Sequence, residues 1–518
     1  VPTRPFYLLG QHFSAIAAAG PIAGPILACQ LFGWLPCILW IGFGVILIGS
    51  VHDFSSLVAS VRHQGRSVAE IAREHMGPRA WLAMMIFIWV ALVYVIVAFA
   101  DITASTFVGQ SEELEGGRFV FNPGGAVAAA STMYLVLSIV MGLVERFVKP
   151  PLWLSTAIFV PSTLGIVWLG TKLSTLLILD QGSWGILILA YCFVASLLPV
   201  WMLLQPRGYL GGFVLYFALA TGVAGLLFGG FEIRQDAFKT WHAAGPTGAL
   251  FPFLFVTIAC GACSGFHGLV CSGTTSKQIA RESHCRPVGY GGMLLEGFVA
   301  VIALATIMIV PSSETASLAP GTIYGNGLAH FLAAIIGPEH FLFAATFGAM
   351  AFSTFIFDTL DVSTRLGRYV LQELFSLRGM VGAIVGTFFT IAPAAVLILL
   401  AGPGAYRHFW TLFGSSNQLL AALTLLGLSV WLHRSGKPSW FTLAPMAFVM
   451  TITLWSLVLQ VRAGLAAGFS LDILTMNALV AIVLVGLALS LLIEAVRAVA
   501  SPTGAPPARP FGAAETAP

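Results

Sequence analysis

The chain has 518 residues, of which 58% are hydrophobic and only 9% charged, and its formal net charge is +3. An ordinary soluble domain carries about 25% charged residues, so this composition excludes one, and so weak a charge excludes a basic nucleic-acid surface. Seven cysteines (Cys29, Cys37, Cys192, Cys260, Cys263, Cys271, Cys285) are scattered in or beside apolar stretches and form no disulfide framework.

Apolar runs of roughly 20 residues, each able to cross a ~30 Å hydrocarbon core, recur along the chain. Fourteen spans are predicted, near 11–31, 34–61, 79–108, 124–143, 151–171, 183–204, 208–230, 250–272, 290–310, 340–375, 380–401, 408–432, 441–461 and 473–498. With a cytoplasmic N-terminus, the inside segments hold 18 of the 24 Lys and Arg residues. That bias follows the positive-inside rule through every alternation and puts both termini in the cytoplasm. Residues 1–500 read as a single transmembrane transporter domain, and 501–518, rich in Pro, Ala and Gly, as a disordered cytoplasmic tail. The outside loop 109–123, with Glu112, Glu113 and Glu115, reads as solvated surface. No soluble segment is long enough for an enzyme module. The chain opens at Val1 without a methionine, so an N-terminal part is expected upstream; no signal or transit peptide is visible.

Two spans are interrupted. Ala17–Pro25 reads A-A-A-G-P-I-A-G-P, and Ile258–Thr275 carries four glycines, two serines, two threonines and His267 in the continuation of an apolar run. Glycine loosens a helix, and loosened backbone at membrane depth is tolerated where it lines a cavity, which in transporters holds substrate or ion. The first broken span runs outward and the eighth inward, the polarity that an inverted repeat requires. Five spans begin with each break: 11–171 form a first repeat and 250–432 a second. Spans 183–230 intervene and 441–498 follow. The predicted fold is therefore all-α and polytopic, a five-plus-five inverted repeat with extra helices. Substrate is expected between Gly20, Pro21 and Gly24 on one break and Gly261, Ser264, Gly265 and His267 on the other.

Ionisable residues at membrane depth are functional candidates, and here they are His12, His52, Asp53, Asp101, His267, Glu296, Asp358 and Asp361. His52-Asp53 suits a capping pair at the membrane interface as well as a coupling site. Asp101 suits a structural partner as well as a proton site. Asp358 and Asp361 share a helix face with Thr364, Arg365 and Arg368 following, so Asp361 is read either as held by an arginine or as a coupling group. His267 sits beside unwound backbone, and its near-neutral reference pKa suits proton relay. Glu296, in G-G-M-L-L-E-G-F, reads first as packing glue. Ser415–Gln418 offers side-chain oxygens, with Asn417 a candidate substrate contact. Cys260-x-x-Cys263 on an apolar helix reads as two packed thiols before a metal site. No P-loop, H-E-x-x-H or G-x-S-x-G is present.

These blocks, taken together, resemble the carbon starvation protein A family. The match runs through Gly10–Pro25 (G-Q-H-F-S-A-I-A-A-A-G-P-I-A-G-P), His52–Phe54 (H-D-F), Gly65–Glu70 (G-R-S-V-A-E) and Leu198–Arg207 (L-P-V-W-M-L-L-Q-P-R). It continues through Phe251–Lys277, Gly289–Glu296, Leu360–Arg365 (L-D-V-S-T-R) and Leu412–Ala421 (L-F-G-S-S-N-Q-L-L-A). The resemblance implies an inner-membrane secondary transporter associated with nutrient limitation, taking up peptides or pyruvate with protons. It also implies grouping with the amino acid–polyamine–organocation transporters. Gln11 stands where the family commonly has a first histidine, Cys263 and Cys271 where it has an aliphatic residue and a serine, and Asp358 where a threonine is more usual. The family usually has extra N-terminal spans.

The expected function is thus cation-coupled import, with the proton as the expected ion, of a small carboxylate or short peptide across the inner membrane. Protonation is expected on one or more of His12, Asp53, His267 and Asp361. The expected partners are the substrate, the cation and the bilayer, with no nucleic acid, cofactor or metal. A membrane sensor acting through a partner protein is the alternative, and an intramembrane metalloenzyme on His12, His52, His267 and Cys260 a distant third.

Overall fold

A computed structural model of the chain describes residues 5–17, 19–114, 119–245, 247–400, 405–468 and 472–501. The predicted tail from 502 onward, Glu115 of the acidic loop and the flanking Arg4, Arg118 and Arg509 lie outside those residues. The protein is an all-α polytopic membrane protein. In chain order the helices are α1 (Pro5–Ile16), α2 (Gly20–Phe32), α3 (Trp34–Gly44), α4 (Ser50–Arg62), α5 (Val68–Met76), α6 (Pro78–Thr106) and α7 (Pro123–Phe147). Then come α8 (Leu152–Lys172), α9 (Gln181–Leu197), α10 (Leu204–Phe228), α11 (Leu250–Thr257), α12 (Gly265–Val270) and α13 (Gly291–Met308). The rest are α14 (Ser312–Thr315), α15 (Pro320–Ile336), α16 (Phe341–Leu374), α17 (Gly379–Leu400), α18 (Tyr406–Arg434), α19 (Trp440–Ala466) and α20 (Ile473–Ala500). A short hairpin, β1 (Glu112–Leu114) with β2 (Phe119–Phe121), lies between α6 and α7.

Among the described residues, eleven helices are long and apolar enough to cross a membrane, and α1 with α2, bent by 42° at the first break, make a twelfth. Of the fourteen expected spans, the sixth and the eighth fall outside that set. The sixth predicted span ends early, because Leu198–Leu203 leaves the helix, and α9 has 17 residues. The eighth is divided into α11 and α12, of 8 and 6 residues. Three of the described helices lie outside the predicted spans: the short α5 and α14, and α15, whose run of Gly, Asn and His among apolar residues hides a 17-residue element that packs on α16 and α10.

Burial sorts the spans by position. The apolar window of α18 is wholly buried, whereas those of α8 and α20 are 22% and 28% buried. Peripheral side chains such as Trp168, Leu227, Phe388 and Phe389 are exposed. In water such a belt would be an aggregation surface, but against lipid tails it costs nothing. Three π-helical segments, Val45–Gly49, Cys271–Thr275 and Arg286–Tyr290, interrupt the regular helices. Segments of this kind widen a helix by one residue and occur often at functional sites.

Candidate functional site

The two breaks meet. A side chain at Gly24 would place its Cβ 2.6 Å from the Thr257 carbonyl oxygen, so only glycine permits α2 to lie on the end of α11. Gly20 stands against Cys260 and Pro21 against Gly261. Opening a helix leaves backbone groups without partners, each costly away from water. Here side chains from other helices supply them. Gln418 Nε2 donates to the Phe255 carbonyl (2.8 Å), Trp410 Nε1 to Thr257 (3.0 Å) and Trp40 Nε1 to Ile258 (3.2 Å). On the far side of the break, Asn417 Oδ1 accepts from the Phe266 backbone N–H at 2.9 Å, and Asn417 Nδ2 donates to Ser264 Oγ at 3.1 Å. Gly265 lies so close to α18 that a Cβ there would be 2.4 Å from the Asn417 carbonyl. The break is a built feature. Its predicted contacts Ser264, Gly265 and Asn417 are brought together, and their polar groups are used to hold one another.

An ionic network is buried beside the break. His267, on α12, places Nδ1 2.8 Å from Asp53 Oδ2 and Nε2 3.0 Å from Glu296 Oε2. His52 Nδ1 lies 2.8 Å from the other oxygen of Asp53. His52, Asp53 and Glu296 have no exposed surface, and His267 has 1%. The contact to Glu296 misses hydrogen-bond alignment, so among the described residues both oxygens of that carboxylate lack a hydrogen-bond partner, as does His52 Nε2. Each π segment adjoins one member: Val45–Gly49 precedes His52-Asp53, Cys271–Thr275 follows His267, and Arg286–Tyr290 precedes Glu296. His12 lies alongside, its Nδ1 2.9 Å from Thr275 Oγ1 and its ring against Gly292 on α13. The structure brings His12, Asp53 and His267 together, with His52 and Asp53 both buried inside the bundle. Glu296, read first as packing glue, is a polar member of the site. The signal for it was an acidic residue at membrane depth with no cation near in sequence.

Asp361 is elsewhere. It is bound by Arg207 Nη1 and accepts from the Tyr191 hydroxyl at 2.9 Å, while Arg207 Nε donates to Asp358 Oδ1 at 2.8 Å. Arg207 has no exposed surface. It lies on α10 inside the bundle, far in sequence from the two carboxylates it holds. Arg365 and Arg368, the sequence-near candidates, instead donate to the Ala195, Leu198 and Ser196 carbonyls that end α9. Asp101 accepts from Gln181 at 2.8 Å.

A cavity of about 1190 Å³ opens at the end of the bundle where α2 and α6 terminate and α18 begins. Gln30, Thr106, Gln181 and Tyr406 line it, and it descends to Thr257 and Trp410, the residues that join at the broken backbone. The glycines of the two breaks do not line it; they lie beyond its floor. A vestibule that stops at two interlocked broken helices, with ionisable groups sealed behind them, is the architecture of a membrane transporter.

The comparisons give the family. The model of the carbon starvation protein CstA family matches residues 1–326 and 312–456. The pyruvate/proton symporter BtsT of Escherichia coli K12 is 31% identical over 89% of this chain and 75% of its own length. The peptide transporter CstA of Bacillus subtilis 168 is 30% identical over 96% and 89%, and that of Mycobacterium tuberculosis H37Rv 31% identical over 91% and 70%. The chain belongs to the carbon starvation protein CstA family. Among solved structures, an Eremococcus coleocola manganese transporter overlaps at a TM-score of 0.48 and 14% identity, covering 96% of this chain and 97% of its own. So loose a likeness carries no argument about cargo.

Proposed function

We propose that the protein is a proton-coupled secondary transporter, not an enzyme, that imports a small carboxylate such as pyruvate, or a short peptide, across the inner (plasma) membrane. The observation that carries the reading is His267 held between Asp53 and Glu296, on the short helix that leaves the second break. An imidazole has two nitrogens and serves two ionised carboxylates only as the imidazolium, donating from both. As the neutral ring it serves one, and Glu296 must then carry a proton itself. One proton entering or leaving thus changes which side chains attract one another, at the point where helices α4, α12 and α13 meet. A bistable element is biased by a local charge change in this way.

Residues 1–500 act as one transport domain in this reading, with both termini cytoplasmic, as the bias of Lys and Arg toward the inside segments supports even with the buried Arg207 left out. The vestibule then faces outward. Substrate enters it and reaches Gly20, Pro21, Gly24, Gly261, Ser264, Gly265 and Asn417 when the two breaks part, with His267 behind. Proton coupling is assigned to His12, Asp53 and His267. Asp361 is left to Arg207. The relatives, a pyruvate/proton symporter and peptide transporters, favour both the cargo classes and the ion, and give the sensor alternative no support.

The test is uptake of labelled pyruvate into proteoliposomes with and without an inward proton gradient, with short peptides as competitors. Gradient-driven accumulation in the wild type, lost in His267→Ala, is the expected result. Accumulation that follows a sodium gradient and ignores the proton gradient would overturn the coupling, and saturable binding without flux would overturn transport.

A further inference from the structure

Away from both buried networks, two histidine rings meet at the end of the bundle where α4 gives way to α5. The R-H-Q-G-R turn brings them together. Gln64 and Gly65 take positive φ values of 59° and 78°, reversing the chain so that α5 runs back past the end of α4. His63 Nε2 and His75 Nε2 then stand 2.9 Å apart, with the rings near perpendicular at 84°. The Glu74 carboxylate completes a trio whose ligand atoms all lie within 4.8 Å of one another. His63 and His75 are buried, at 9% and 3% exposure.

Two features set this pair apart from an ordinary histidine contact. His63 Nδ1 lies 2.7 Å from the Ala59 carbonyl, which accepts a proton but cannot give one. The neutral His63 ring is therefore the Nδ1–H tautomer, and its Nε2 is a bare lone pair aimed at His75. A ring N–H held by a backbone carbonyl while the other nitrogen points at a shared centre is the outer-shell arrangement of metal-binding histidines. The second feature is the mixed donor set, two imidazoles and a carboxylate with the carboxylate at the surface. It leaves a path for an ion and an open position for water, as in three-ligand zinc sites.

We propose that His63, His75 and Glu74 bind a divalent transition-metal ion of the zinc class. In a tetrahedral site with metal–nitrogen bonds of ~2.0–2.1 Å, the two nitrogens sit roughly 3.3 Å apart, so the rings need to part by only a few tenths of an ångström. The ion takes the place of the proton that His75 otherwise shares with His63. Two cations oppose it: Arg66 Nη1 holds Glu74 at 2.7 Å, and Arg434 Nη1 donates to the His75 carbonyl at 2.7 Å. Glu74 must turn from Arg66 to the ion, which sets a modest affinity and makes the site reversible. Its place in the fold gives it a use. The first residue of α5, Val68, donates its N–H to Ser272 Oγ at 3.3 Å, and Ser60 of α4 bonds the Arg66 carbonyl at 2.7 Å. An ion joining α4 to α5 thus ties the segment beyond His267 to the closed end of the bundle.

The experiment uses the whole protein, purified without a polyhistidine tag, stripped with chelator and titrated with Co²⁺ and then Zn²⁺. One equivalent of Co²⁺ with ligand-field absorption, displaced by Zn²⁺, is expected. His63→Ala and His75→Ala should each weaken it more than tenfold. Glu74→Gln, a surface change that leaves the packing intact, should weaken binding as well and covers the case in which the histidine variants fail to fold. Absence of saturable Co²⁺ binding, or binding equal in wild type and Glu74→Gln, overturns the site.

Discussion

Two ionic networks are buried in this bundle, and they are built on opposite principles. The Arg207 network ties α9, α10 and α16 through a guanidinium that keeps its charge at any pH the protein meets, with the Tyr191 hydroxyl completing it. The His267 network ties α4, α12 and α13 through an imidazole, the side chain whose charge changes near neutrality. The first sits within uninterrupted helices. Every helix of the second carries a π segment next to its ionisable residue, and α12 begins at a break. A fixed charge on regular helices makes a strut. A titratable charge on interrupted helices makes a hinge.

If that contrast is right, the strut should matter most for folding. Arg207→Met leaves Asp358 and Asp361 with no cation, and breaking a buried pair by removing one partner costs about 3–5 kcal/mol. Loss of folded protein, or a fall in thermal midpoint far larger than for any change in the His267 network, is expected from unfolding in detergent. A folded variant with normal uptake would reduce the strut to an ornament of the fold. The hinge should behave otherwise. Glu296→Gln keeps the shape and removes the charge from a carboxylate that already lacks hydrogen-bond partners. The protein should fold, and gradient-driven uptake should fall roughly tenfold to a hundredfold, the loss of one close charge pair worth about 1.5 kcal/mol or more. Exchange of substrate at equal pH on both sides should survive. Equal loss of exchange and gradient-driven uptake would place Glu296 with the strut.

The hinge was largely legible in the chain, and the strut was not, for a physical reason. Gly20, Gly24, Gly261 and Gly265 announce broken spans because clustered glycines loosen a membrane helix, and His267 lies inside the second break. His12 and Asp53 stand out as polar groups in apolar runs. What no local pattern reveals is pairing between residues far apart in sequence. Asp361 has Arg365 and Arg368 within two turns, and helix periodicity favours them, yet those arginines cap the end of α9 and the partner comes from Arg207. Glu296 looked like packing because its glycine neighbours serve packing. Gly297 indeed lies against Val45, while the carboxylate turns to His267. The elements were least legible where hydropathy averages out: α15 mixes polar and apolar residues, and α12 is only 6 residues long.

The smallest expected effect is the sharpest test of the strut, because it separates its two acids. Asp358 and Asp361 both bind Arg207, but the Asp358 side chain is 22% exposed against 3% for Asp361. One cation balances one anion, so the network holds a carboxylate in excess, and the less buried acid is the one that can be spared. Asp358→Thr leaves Arg207 paired one to one with Asp361 and retains its hydrogen bond to Tyr191. Removing the partly solvated acid strands no charge, so it should cost well under the ~3–5 kcal/mol of breaking the pair, and relieving the repulsion between neighbouring carboxylates offsets part of that. The thermal midpoint should therefore move by no more than a few degrees. Asp361→Ala, which strands the deeper end of the guanidinium, should cost several times more. Equal losses for the two variants would mean that Arg207 needs both acids, and that the strut is a triad with no spare member.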